Sequence, residues 1–239
     1  MNEQLVFDLA VPEAPTFANF VAGRNAEAVE ALRRAAEGAL AETGIVVWGA
    51  RGAGKSHLLA ATCAAARAAA RSAVLCDGAT AWPHSIEPRM LVAIDDIGQA
   101  DPSAQARLFS LYNALKEGGG TLVAASDVPP ARLPFRDDVR TRLAWGLAYE
   151  IVPLADADKP AALAAYARSR GFALDDEVIA YLLAHGRRDM GSLVAALAAL
   201  DRRSLAQKRP VTVPLLREWL QRSFDPDPPP GDHPGLKQD

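Results

Sequence analysis

The sequence predicts an α/β fold: a five-stranded parallel sheet with helices on both faces, followed by a small all-helical domain. Three observations carry this. Short apolar runs alternate with helical periodicity from residue 25 to about 155, the pattern of a doubly wound sheet. One run, "RMLVAIDD" (89–96), is apolar at consecutive positions, as expected of a strand covered on both faces. After Pro153 only helical patterns remain.

Residues 1–15 carry Pro12 and Pro15 and no helical periodicity, which reads as an arm. Within it "QLVFDL" (4–9) places Leu5, Phe7 and Leu9 on one face of an extended segment. Six residues cannot bury that face alone, so they join this sheet as an edge strand or belong to a partner. Residues 25–41 read as a helix through Val29, Leu32 and Leu40. "GIVVWG" (44–49) is a buried strand stopped by glycine, and alanine-rich 55–71 a helix with Leu58 and Leu59. "SAVLCDG" (72–78) and 89–96 are the next strands. Asp101-Pro102 has the form of an N-cap followed by proline at the first helical position. Behind it Leu108, Leu111, Tyr112 and Leu115 follow helical spacing to "GGG" at 118–120. "TLVAAS" (121–126) and "AYEIVPL" (148–154) complete five strands. Helices are expected at about 159–170, 175–186, 189–207 and 212–222, with Asp175, Asp176 and Glu177 favourably placed at the start of the second. The domains are therefore 1–15 arm, 16–155 α/β domain, 156–224 helical domain, and a Pro- and Asp-rich tail, 225–239, that reads as disordered.

With 239 residues and 50% hydrophobic content, the chain can bury a core without disulfides or metal. Its two cysteines have no metal-site spacing and its four histidines are scattered, which argues against a zinc centre. A net charge of −3 disfavours strong direct DNA binding. No apolar run is long enough to span a membrane, so a cytoplasmic location is expected.

"GARGAGKS" (49–56) fits G-x-x-x-x-G-K-[ST] between a buried strand and a helix, the context in which that motif cradles phosphates. Gly49, Gly52 and Gly54 let successive N–H groups face phosphate oxygens, and the helix N-terminus adds positive potential. Lys55 reaches the β- and γ-phosphates and Ser56 ligates Mg²⁺. "LVAIDD" (91–96) places carboxylates at the C-terminal edge of the sheet, where ligands bind. Asp95 holds Mg²⁺ and Asp96 orients the attacking water.

"GAGKSHLLAA", "LVAIDDIGQ", "LVAASDVPP" and "RTRLAWGLAYEI" resemble, in order, the DnaA-type AAA+ initiator ATPases, over roughly residues 16–224. "TFANFVAGRNAEAV" (16–29) is similar to the family segment that encloses adenine, with Val21, Gly23 and Arg24 in place. The resemblance implies an AAA+ P-loop core with a helical lid, an ADP or ATP cofactor with Mg²⁺, and nucleotide contacts from Val21, from Gly49, Gly52, Ala53, Gly54, Lys55, Ser56 and His57, and from Arg188, the sensor-2 arginine of "RRDMGSLVAAL". It implies that Asp127 is the sensor-1 residue and that Arg142, in "RTRLAWGL", is an arginine finger completing a neighbour's ATP site.

Two departures narrow the function. Asp138 stands where the initiators carry another arginine one helical turn before the finger, and a Pro-rich tail stands where they continue into a DNA-binding domain. The expectation is a core without its DNA reader. This resembles the Hda-type regulators, which carry a sliding-clamp-binding peptide ahead of a DnaA-like core; "QLVFDL" resembles that peptide, with Gln4 at the pocket rim and Leu5, Phe7 and Leu9 as anchors. The implied partners are the DnaA initiator, whose ATP hydrolysis Arg142 stimulates in trans, and the DNA polymerase III sliding clamp. A homodimer and a weak ATPase activity of its own are compatible with this. The alternatives are a DnaC-like helicase loader or transposition-helper ATPase, and a P-loop assembly switch outside replication.

Overall fold

Five apolar runs form five parallel strands, β1 (Gly44–Trp48), β2 (Ala73–Asp77), β3 (Leu91–Asp95), β4 (Thr121–Ser126) and β5 (Leu147–Glu150), in the order β2-β3-β4-β1-β5. The computed structural model describes residues 14–78, 82–83, 85–187 and 189–224. The clamp-like segment and the C-terminal tail lie outside them. The described residues fall into two units, 14–162 with 189–191 and 163–187 with 192–224.

Strand alternation divides the larger unit's core into two layers. Ile45 and Val47 pack with Leu32 of α1 (Ala26–Glu37) and with Leu58 and Leu59 of α2 (Lys55–Ala68). Val46 faces the other way and joins Leu108, Leu111 and Leu115 of α3 (Pro102–Glu117) and Leu143 of α4 (Asp137–Ala144). All of these leucines but Leu111 are at most 1% exposed, so each contributes about 1.5–3 kcal/mol of burial energy. Cys63 and Cys76 are free and buried. Burial pushes the Cys63 thiol up to about 11, so it stays protonated and packs as a small apolar group.

Local chemistry sets the element ends. α1 stops before residue 41 because Gly38 adopts a left-handed φ of 72° and turns its N–H back to the carbonyls of Ala35 and Arg34. α3 begins as its sequence predicts: the Asp101 carboxylate accepts the Ala104 N–H at 2.7 Å, and this bond chiefly holds its pKa below the usual carboxylate range. β5 is shorter than the 148–154 run. Ile151 still donates to the Trp48 carbonyl at 2.7 Å, but Val152 is taken by a side chain. Asn25, 6% exposed, accepts the Val152 N–H at 2.8 Å and donates to the Val152 carbonyl at 2.9 Å. One amide thus stands in for a neighbouring strand and fixes the segment before α1 to the end of the sheet.

The second unit is helical, as the texture after Pro153 predicts. It comprises most of α5 (Lys159–Ser169), with α6 (Asp176–His185), α7 (Met190–Gln207) and α8 (Val213–Phe224). Leu163, Leu182, Leu193, Leu197, Leu200 and Leu216 are buried. Asp201, also buried, meets Arg170 at 3.5 Å, which offsets the cost of removing its charge from water. No helix among the described residues is long and apolar enough to cross a membrane.

Replacing Asn25 with alanine leaves the Val152 N–H and carbonyl without their partner. Asn25→Ala is expected to cost about 2 kcal/mol, seen as a lower urea midpoint at unchanged slope.

Candidate functional site

The strand order sets β3, β4 and β1 side by side, so that the segments leaving their C-terminal ends converge. Gly49 leaves β1 with its N–H on the Ser126 carbonyl at 3.2 Å. Its φ is 148°, and a Cβ there would lie 2.4 Å from the Ile151 carbonyl oxygen, so only glycine fits. Gly52 and Gly54 also have positive φ, and the loop wraps directly into α2. The first turn of α2 leaves its N–H groups without intrahelical partners, at the positive end of the helix. Backbone and helix together suit a phosphate group.

Lys55 is buried at that first turn. Its ammonium donates to the carbonyls of Gly49 at 2.7 Å and Ala50 at 3.1 Å, and to Asp127 Oδ1 at 2.9 Å. The Asp127 Oδ2 lies 3.9 Å from Arg51 Nε. Asp127 therefore belongs to the P-loop constellation, touching the lysine itself. Ala53 is buried and Ser56 exposed.

Asp95 ends β3, half-buried, and its Oδ1 accepts the Asp96 N–H at 3.0 Å. Asp96 has φ 47° and ψ 52°, a left-handed conformation rare for a residue with a Cβ, which reverses the chain after the strand. Gly78, following β2, supports this turn from beside it. A Cβ at Gly78 would sit 2.3 Å from the Asp96 carbonyl oxygen and 2.9 Å from that of Asp95. The carboxylates and the Ser56 hydroxyl are hard oxygen donors, the chemistry that suits Mg²⁺.

Residues 16–25 pack on the same loop. The Phe20 ring covers Gly54, whose Cβ would come within 2.7 Å of it, and lies 5.5 Å from the His57 ring. His57 Nε2 is 2.9 Å from the Thr16 carbonyl. Val21, half-buried, follows directly; Gly23 and Arg24 are exposed.

Arg142, in the last turn of α4, is not joined to these groups. Its guanidinium lies 4.6 Å from the Phe109 ring centroid and 5.0 Å from that of Trp145. Arg188 and residues 4, 5, 7 and 9 lie outside the described residues.

Among solved structures, domain III of the Thermotoga maritima replication initiation protein DnaA matches with a TM-score of 0.68. It is 20% identical, over 87% of this chain and 96% of that one. AMPPCP-bound DnaA from Aquifex aeolicus matches at 0.63 and 22% identity, over 81% and 69%. A mutant of Thermotoga maritima RuvB matches at 0.63 and 16%, over 88% and 74%. At these identities the likeness shows the AAA+ fold. The family model described as "Hda, lid domain" matches residues 156–220. The chain has the AAA+ fold. Its four helices from Lys159 onward contain the region that is similar to the Hda lid, and its sheet is the five-stranded AAA+ core.

In this AAA+ fold the P-loop, the Asp95–Asp96 pair and Asp127 lie at the ends of three adjacent strands. Sequence reasoning missed Phe20, Asn25 and Gly78. A signal existed for two of them: an asparagine at the start of a helix and a glycine directly after a strand.

Proposed function

We propose that this protein binds an adenine nucleotide at its P-loop and acts in the cytoplasm as a regulator of replication initiation. Tethered to the sliding clamp, it stimulates ATP hydrolysis by DnaA. The observation that carries this reading is Arg142, held on aromatic rings with no carboxylate within ion-pair distance among the described residues. An arginine left unneutralised in this way is available to a partner's phosphates. The Hda lid match supports a regulator over an initiator, and the AMPPCP-bound Aquifex DnaA supports adenine nucleotide as the ligand.

In the nucleotide site the loop N–H groups and Lys55 would hold the phosphates, with Phe20, Val21 and His57 at the side where residues 16–25 cover α2. To reach a phosphate, the Lys55 ammonium exchanges some of its present contacts, with Asp127 the competing anion. Ser56 and Asp95 would hold Mg²⁺, which when bound neutralises phosphate charge. Asp96 would orient a water, and Arg188 would contact the nucleotide. A complete hydrolytic site takes a finger from a neighbour, so the protein's own turnover is slow without one.

The clamp tether rests on residues 4–9. Leu5, Phe7 and Leu9 offer apolar anchors of about 2 kcal/mol each, enough for micromolar affinity. Binding to a clamp on DNA raises the concentration of Arg142 near DnaA without any new contact between the two. Arg142 then stabilises negative charge on the initiator's nucleotide during hydrolysis.

Lys55→Ala is expected to weaken ADP binding by about ten- to a hundredfold in a calorimetric titration; an unchanged isotherm would place the nucleotide elsewhere. Alanine at Gln4, Leu5 and Phe7 together should abolish capture by immobilised clamp while ADP binding persists. Arg142→Ala should lower stimulated turnover of DnaA-bound ATP by about 10³-fold with clamp capture intact, and undiminished turnover would sink the finger assignment.

A further inference from the structure

Three arginines lie between residues 136 and 142, and they are treated differently. Arg136 pairs with Asp138 at 2.8 Å, and Arg140 pairs with Asp137. Arg142 meets two aromatic rings instead, Phe109 of α3 and Trp145, the residue that ends α4. Trp145 is 59% exposed, one of few large apolar side chains so placed. Its backbone N–H is fixed by the carbonyls of Thr141 and Arg142, and the Lys116 ammonium lies 5.6 Å from its ring centroid. Phe109 and Lys116 are seven residues apart on α3, on one face of that helix. The indole therefore lies along α3 and against Arg142, where its exposure would otherwise be a cost in water.

We propose that Trp145, with Phe109, is a positioning residue for Arg142: the two rings contact the guanidinium, restrict the side chain to few rotamers, and leave N–H groups free for a phosphate. This rests on the reading of Arg142 given above. A guanidinium has two distinct surfaces, flat faces that stack and an edge that hydrogen-bonds. Aromatic neighbours present no oxygen acceptor to the N–H donors of Arg142, whereas the carboxylate partners of Arg136 and Arg140 occupy theirs. A long side chain ordered before encounter loses less freedom when it binds. The Lys116 ammonium adds a second positive charge beside the indole, which favours a polyanionic partner.

The test combines kinetics with side-chain order. Trp145→Ala is expected to lower the maximal stimulated rate of DnaA ATP hydrolysis about tenfold with little change in the half-saturating concentration, and Trp145→Phe should restore most of it. On an Arg142→Ala background, Trp145→Ala should have no further effect. Nitrogen-15 relaxation of Arg142 Nε in the isolated protein should show an ordered side chain that becomes mobile in Trp145→Ala and is ordered again in Trp145→Phe. A rise in half-saturating concentration alone, or a loss that adds to that of Arg142→Ala, makes Trp145 a partner contact and overturns the proposal. So does Arg142 order that is unmoved by Trp145→Ala. If Arg142→Ala itself leaves stimulated hydrolysis intact, the finger reading fails, and the relaxation measurement still decides whether the rings hold the arginine.

Discussion

The Lys55 ammonium is buried at the first turn of a helix whose positive end it shares, and it is stable there only because oxygen surrounds it. Two carbonyls of its own loop and the Asp127 carboxylate supply that oxygen. Each source constrains the chain. The carbonyls point inward only if the loop takes the left-handed turns that its glycines allow. The carboxylate arrives only if β4 pairs beside β1 in the observed register, with Trp48 opposite Ser126. A one-residue slip would send Asp127 to the opposite side of the chain. The charge buried beside the P-loop is thus also the charge that demands the correct strand neighbour.

Much of this was legible in the sequence because its signals are local. The P-loop and the acidic end of β3 announce themselves by spacing, and the N-cap at Asp101 by two adjacent residues. Doubly covered strands read as unbroken apolar runs because both faces meet helices. The errors have tertiary causes. β5 was read as long because Ile151 and Val152 are apolar, yet a side-chain amide from 127 residues earlier takes the place of ladder bonds at Val152. Phe20 covering Gly54 is likewise invisible in a string, since nothing near residue 54 records what will lie above it.

The contrast between Lys55 and Arg142 shows two ways to compensate a cation. Lys55 is compensated by oxygen, which engages its hydrogen-bond donors. Arg142 is compensated by π-faces and keeps its hydrogen-bonding capacity. The first suits a resident ligand that also organises its own loop. The second suits a ligand delivered on another molecule, because little has to be broken when it arrives. Both arrangements sit on one α/β unit: the first joins the loop after β1 to the end of β4, and the second joins α4 to α3.

Gly78 shows how the acid pair is tied to the end of β2. The carbonyl oxygens of Asp95 and Asp96 occupy the space that any side chain at position 78 would fill. The end of β2 is therefore a mould for the acidic turn, and what it contributes is empty volume. Sequence drift at this position is limited by chemistry one strand away. A variant there would displace the acid pair while altering neither carboxylate.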